Sequence, residues 1–143
     1  MIISENYKEG DILRVKRVLY SHFGVYVGNG QVVHFSAGNN GELNPRKAKI
    51  ILTSLQYFEN GGQSKCCNRN TCERDTRKNI AQRALKLVGT KFGGYNIVTN
   101  NCEHFARFCE NGIRFSDQVH TVASIAAIVF MQFFVKNIYL LSI

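Results

Sequence analysis

Acidic residues are scarce in this chain: ten Asp and Glu stand against eighteen Lys and Arg among 143 residues, a net charge of +8. Such an excess implies an anionic partner, and the two common ones are nucleic-acid phosphate and an anionic membrane surface. Long basic runs are missing too. No more than two basic residues adjoin anywhere, and no zinc-finger or RNA-recognition signature occurs, so nucleic acid is not expected as a partner. The N-terminal Met1-Ile2-Ile3-Ser4-Glu5 lacks a basic segment followed by an apolar core, so no secretory signal is expected. Cysteines number five, an odd count, which predicts free thiols in a reducing compartment. Cys66, Cys67 and Cys72 have no second cysteine pair or nearby histidine to complete a tetrahedral zinc site, and neither a metal nor another cofactor is expected. Internal repeats are absent, and the length is too small for separate cofactor and substrate domains.

What is present is unevenly distributed. The last 25 residues, Val119 to Ile143, hold 18 hydrophobic residues and one charge, Lys136. A basic globular domain over 1–118 followed by an apolar segment over 119–143 is the expected organisation. As a helix, residues 122–143 would be about 33 Å long against a hydrocarbon core of about 30 Å. The expected location is therefore the cytoplasmic face of an intracellular membrane, with the tail as anchor and Lys136 near enough to the end to snorkel. The competing reading of the tail is a buried core helix.

Within the first 118 residues, β-rich runs at Asp11 to Tyr20, Phe23 to Val27, Gln31 to Phe35 and Lys49 to Leu55 predict a short antiparallel sheet. Gly28-Asn29-Gly30 predicts a hairpin, and the only proline, Pro45, lies in the loop Ser36 to Arg46. Glu59 to Asp75, rich in Gly, Asn and Arg, reads as an exposed loop. Ile80, Ala81, Ala84, Leu85, Leu87 and Val88 recur at helical spacing after Asp75 or Thr76 as N-cap. Cys102 to Asn111 predicts a short helix capped by Asn100 or Asn101 and closed by Gly112, and Ser116 can cap a C-terminal apolar helix.

Chemistry is expected from Cys102, His22 and His34. A thiol becomes a nucleophile when deprotonated, and a helix N-terminus and an imidazole both favour the thiolate. Cys102 would occupy the first turn of its helix, where its own N–H could also help hold an oxyanion. If the hairpin loop has three residues, Val27 faces Gln31, His34 lies opposite Gly24, and both histidines share one sheet face as diagonal neighbours about 7 Å apart. A two-residue Asn29-Gly30 turn separates them onto opposite faces unless a bulge compensates. Gly24 would leave that face open, with a cysteine at a packed helix N-terminus as the group expected to fill it.

Gly10-Asp11-Ile12-Leu13, the block from Tyr20 to Gly30, Val32-Val33-His34-Phe35 and Asn101-Cys102-Glu103-His104-Phe105 together resemble the lecithin:retinol acyltransferase-like (H-NC) family. Ser116-Asp117-Gln118-Val119 resembles its phospholipase A and acyltransferase branch, also called the HRAS-like suppressor branch. The resemblance runs from about Gly10 to Val119. It implies an α+β, circularly permuted papain-like fold related to NlpC-type peptidases, with histidine before cysteine in the chain. It assigns Cys102 as nucleophile, His22 as general base and His34 as the residue that orients His22. Tyr20, Arg17 and Asn101 would line the site or serve the oxyanion, and His104 would be structural. Phe23 stands where many relatives carry tryptophan, which this chain lacks.

The activity so implied is phospholipase A hydrolysis and N- or O-acyl transfer on glycerophospholipids through a cysteine thioester, with lipid and the membrane surface as partners and no obligate protein partner. Two alternatives keep the same blocks: a cysteine peptidase or amidase of the NlpC type, and a non-enzymatic interaction protein similar to viral H-NC proteins.

Overall fold

A computed structural model describes residues 6–37, 44–96, 101–113 and 127–132. The chain divides into two compact units, Met1–Ile113 and Arg114–Ile143. In the first unit, strands β1 (Ile12–Lys16), β2 (Ser21–Gly28), β3 (Gln31–Ser36) and β4 (Lys49–Ser54) lead into a short helix α1 (Leu55–Glu59). Strand β5 (Ser64–Cys66) follows, then helices α2 (Arg77–Lys86) and α3 (Cys102–Asn111). The strands form one antiparallel sheet in the order β4-β3-β2-β1-β5, and the fold is α+β.

Side-chain alternation gives the sheet two buried faces. On one, Ile12, Phe23, Val25, Val33, Phe35 and Ile50 pack with Ile80 and Ala84 of α2 and with Phe105, Ala106 and Cys109 of α3. The other is smaller: Leu13, Val15 and Val32 close over Phe58 of α1. The two histidines lie on this second face, and Cys102 belongs to the first.

The β2–β3 turn is the two-residue Asn29-Gly30, with Gly28 paired to Gln31 and φ values of +53° and +70° that suit Asn and Gly. Of the two hairpins the sequence allows, the three-residue loop does not form. A bulge between Tyr26 and Gly28 absorbs the extra residue and returns the register, so His34 still faces Gly24. The first strand is shorter than its β-rich run: after Lys16 the chain turns, Arg17 N–H donating to the Tyr20 carbonyl at 2.7 Å. Leu55, read as the end of a strand, instead opens α1, because the Ser54 hydroxyl accepts the Tyr57 N–H and caps it.

Residues 59–75 are not a simple exposed loop. Ser64–Cys66 pairs with Leu13–Val15, and Ser64 is buried. Farther along, Glu110 of α3, itself buried, binds Arg74 at 2.6 Å and Arg107 at 2.9 Å and accepts the Arg69 N–H. Asp11 binds Arg77 at 2.5 Å and accepts from Asn68. These bonds fasten the segment to β1 and α3, which turn, Lys and Arg content alone did not indicate.

In the second unit only 127–132 is described, and it is helical with Ile128, Val129, Phe130 and Met131 more than half exposed. The rest of the expected apolar helix, with its Ser116 cap, lies outside the described residues. Among those residues no helix is long and apolar enough to cross a membrane.

Candidate active site

His22 and His34 meet as the register requires. His22 Nε2 lies 2.9 Å from His34 Nδ1, and His34 Nε2 lies 2.9 Å from the Thr53 hydroxyl of the neighbouring strand β4. That hydroxyl donates its proton to the Ser54 carbonyl at 3.1 Å, so toward His34 it acts as acceptor. His34 Nε2 then carries the proton, and its Nδ1 is left as an acceptor for the His22 Nε2–H. The chain of donors ends with a bare lone pair on His22 Nδ1, the form a general base needs. Thr53, unremarked in the sequence, thus fixes the tautomer of a ring it does not touch.

Both rings are out of water. The Phe58 ring centre stands 5.2 Å from each imidazole, and Tyr20 meets His22 edge-on at 6.4 Å. Phe58 also fills the space over Gly24: a Cβ there would fall 2.6 Å from Val32 Cγ1 and 2.9 Å from Phe58 Cε2. The expectation that Cys102 fills this gap is therefore wrong, since α3 packs on the opposite face. Burial, and after it the positive charge of Arg17, pushes the His22 pKa down to about 4. His34 falls to about 3, from burial first and then the charges of His22 and Arg17. Both rings are neutral at physiological pH.

Cys102 opens α3 with a side chain only 4% exposed. Asn101 is the cap: its side-chain oxygen accepts the Glu103 and His104 N–H groups, and His104 Nδ1 accepts the Asn101 N–H at 3.0 Å. This reciprocal capping box gives His104 a structural role and occupies the Asn101 side chain with the helix end. Cys102 Sγ donates to the Ser21 carbonyl at 3.7 Å, and the Phe23 N–H stabilises its thiolate, so sulfur lies against the main chain on either side of His22. Desolvation raises the thiol pKa, while the N–H groups of Phe23, Glu103 and Cys102 oppose the rise. At rest the thiol is protonated and the His22 imidazole neutral, and the sulfur meets the main chain of Ser21 and Phe23 while, among the described residues, no hydrogen bond joins it to the His22 ring.

Arg17 does not present its guanidinium to a substrate. It donates to the carbonyls of Glu59 and, at 2.6 Å, Phe58, holding α1 and its aromatic cover over the histidines. Tyr20 is 41% exposed beside His22. Tyr95 was missed in the sequence: its ring packs on Phe35 at 4.9 Å, and its hydroxyl is pushed up to about 12 by burial and then by the charges of Cys102 and Tyr20. No motif marks it. Cys66 and Cys72 are exposed free thiols remote in character from Cys102, and Cys67 Sγ accepts from Arg107 at 3.1 Å.

With this geometry in hand, the relatives are informative. Residues 5–115 match the family described as Lecithin retinol acyltransferase. Human phospholipase A and acyltransferase 2 is 33% identical over 121 residues, covering 77% of this chain and 74% of that protein. Human phospholipase A and acyltransferase 3 is 31% identical, covering 85% and 81%. Bovine lecithin retinol acyltransferase is 27% identical, covering 79% of this chain and 58% of its own length. The matched region contains β1 through α3 whole, with both histidines and the cysteine, and the chain belongs to the lecithin retinol acyltransferase family.

Proposed function

We propose that this protein transfers acyl groups from glycerophospholipids through a thioester on Cys102. The names of its relatives, phospholipase A and acyltransferase among them, support the reaction class. The observation that carries the mechanism is the hydrogen-bonded series from Ser54 through Thr53 and His34 to His22, with Cys102 sulfur against the main chain of Ser21. The order of His22 in β2 before Cys102 at the start of α3 agrees with a permuted papain-like arrangement.

In the first step His22 is the base that takes the Cys102 proton, through a water at the edge of β2 where the sulfur meets the main chain on either side of His22, as sulfur attacks the ester carbonyl carbon. The carbonyl π electrons move to oxygen, and the Cys102 N–H at the helix N-terminus, with a hydroxyl from Tyr20 or Tyr95, stabilises that oxyanion. Collapse expels the lysophospholipid alkoxide, which takes the proton from His22, and leaves the acyl group on sulfur. Water, an amine of phosphatidylethanolamine or a lysolipid hydroxyl then attacks the thioester, His22 again accepting the proton and returning it to the thiolate. His34 holds the His22 ring and spreads its transient charge.

The substrate places the work at a membrane surface, on the cytoplasmic face of an intracellular membrane, with the domain over 1–118 catalytic and 119–143 as the tail that holds it there. Incubation with labelled phosphatidylcholine and phosphatidylethanolamine tests the function. Wild type should release fatty acid or form N-acyl product, and Cys102→Ala should do neither. Release by Cys102→Ala equal to wild type would overturn the mechanism.

A further inference from the structure

The turn between β1 and β2 puts its apolar side chains in water. Val18 is 100% exposed and Leu19 93%, although both are branched residues that a folded chain ordinarily buries in part. A single exposed leucine needs no explanation, but an adjoining pair this exposed on a fixed turn does. The turn is rigidly based, since Arg17 and Tyr20 close it with a 2.7 Å backbone bond and the Arg17 guanidinium is fastened to the carbonyls of Phe58 and Glu59. An exposed cation adjoins it, Lys16 at the end of β1, and a second, Lys65, stands farther down the same sheet edge opposite Arg14. The carboxylate in this region, Glu59, is engaged by the Ser64 N–H and hydroxyl. Finally, the half-exposed Tyr20 follows directly, and Ser21, whose carbonyl holds the Cys102 thiol, is two residues from Leu19.

We infer that Val18 and Leu19 form a rigid wedge that inserts into an anionic phospholipid bilayer beside the catalytic cysteine. The inference rests on the phospholipid reading above and adds the surface by which the domain meets its substrate. Two apolar side chains supply burial in hydrocarbon, Lys16 and Lys65 meet anionic headgroups, and Tyr20 sits at the headgroup level where amphipathic aromatics are stable. Two residues of chain span about 7 Å at most. Insertion of Leu19 therefore brings the thiol to the depth of the ester groups, so a phospholipid need rise little to reach it.

The chain lacks tryptophan, so Leu19→Trp in the full-length protein creates a single fluorescent reporter. With vesicles of phosphatidylcholine and phosphatidylserine its emission should shift to the blue and be quenched by brominated acyl chains. Gln31→Trp, exposed at the far end of the β2–β3 hairpin about 25 Å away, should show neither change. The double variant Val18→Ser/Leu19→Ser should lose about tenfold or more in turnover of vesicle phospholipid while keeping wild-type turnover of a monomeric short-chain ester. An unchanged Leu19→Trp spectrum, or equal shifts at positions 19 and 31, would overturn the wedge. Failure of the catalytic reading would show separately, as Cys102→Ala that still hydrolyses the monomeric ester.

Discussion

Thr53→Val removes one hydroxyl while nearly preserving shape, and it acts on a proton two rings away. In the wild-type protein the Thr53 hydroxyl accepts the His34 Nε2–H at 2.9 Å and passes its own proton to the Ser54 carbonyl. His34 is 2% exposed, so in the variant its Nε2 loses an acceptor on a ring that is otherwise out of water. Leaving a buried donor unmade costs about 1–3 kcal/mol. Thr53 itself is half-buried, and water entering from its side would bring the cost toward the lower figure. The ring can instead shift its proton to Nδ1, which then no longer accepts from His22 Nε2–H and forces His22 to reverse its own tautomer. If the lost energy is the bias between these two arrangements, the productive one falls by about 5-fold to about 150-fold, with kcat falling by up to the same factor. KM should change little, because Thr53 does not reach toward Cys102. Long-range imidazole ¹⁵N spectra report the effect directly: protonated Nε2 on both rings in wild type, and mixed or reversed signals in Thr53→Val. Thr53→Ser should restore both spectrum and rate. A Thr53→Val protein with wild-type kcat and unchanged ¹⁵N signals would refute the tautomer argument.

The low histidine pKa values make stability depend on pH. Unfolded imidazoles protonate near 6.5 while His22 and His34 resist down to about 4 and about 3, so the unfolded chain binds more protons between those values. Stability is full above about 6.5 and falls as pH drops, by at most about 1.4 kcal/mol per pH unit for each ring, measurable as urea midpoints from pH 7 to 4. His34→Gln should flatten that slope; an unchanged slope would show that the rings do not cause it. Gly24→Ala should cost about 1–3 kcal/mol, because its Cβ meets Val32 Cγ1 at 2.6 Å and must push Phe58 off the histidines. NMR titration of that variant should show His22 protonating at higher pH as its cover loosens. Glu110→Gln leaves the guanidinium groups of Arg74 and Arg107 without their buried counter-charge, and thermal melts should show a loss of about 3 kcal/mol or more.

Parity in two strands was enough to bring His22 and His34 together from sequence, and the Asn-Cys pair at a helix start placed the thiol. The sequence leaves two routes to that pairing, a three-residue loop or a two-residue turn with a bulge, and the protein takes the second, because register depends on the sum of turn and bulge residues. Thr53 and Phe58 were invisible for a different reason. Their contacts depend on β4 lying beside β3 and on α1 folding back across the sheet, and nothing local in Leu-Thr-Ser or Gln-Tyr-Phe announces either. Strand β5 escaped notice because Ser-Lys-Cys has no apolar alternation; it is held by backbone pairing to β1 and by the buried Ser64. Arg17 looked like a site residue from its position, and it acts instead through the carbonyls it holds and the charge it places near the rings.

The covalent intermediate is the most direct test of the whole account. Wild-type protein mixed with dipalmitoyl phosphatidylcholine and quenched in acid should gain the mass of one palmitoyl group, mapped to the peptide containing Cys102 and released by neutral hydroxylamine. His22→Ala should form it far more slowly, and Cys102→Ser should carry no hydroxylamine-labile acyl group. Turnover of phospholipid by the wild type with no acyl group ever found on Cys102, or with the acyl group on Cys66, Cys67 or Cys72 instead, would contradict the account.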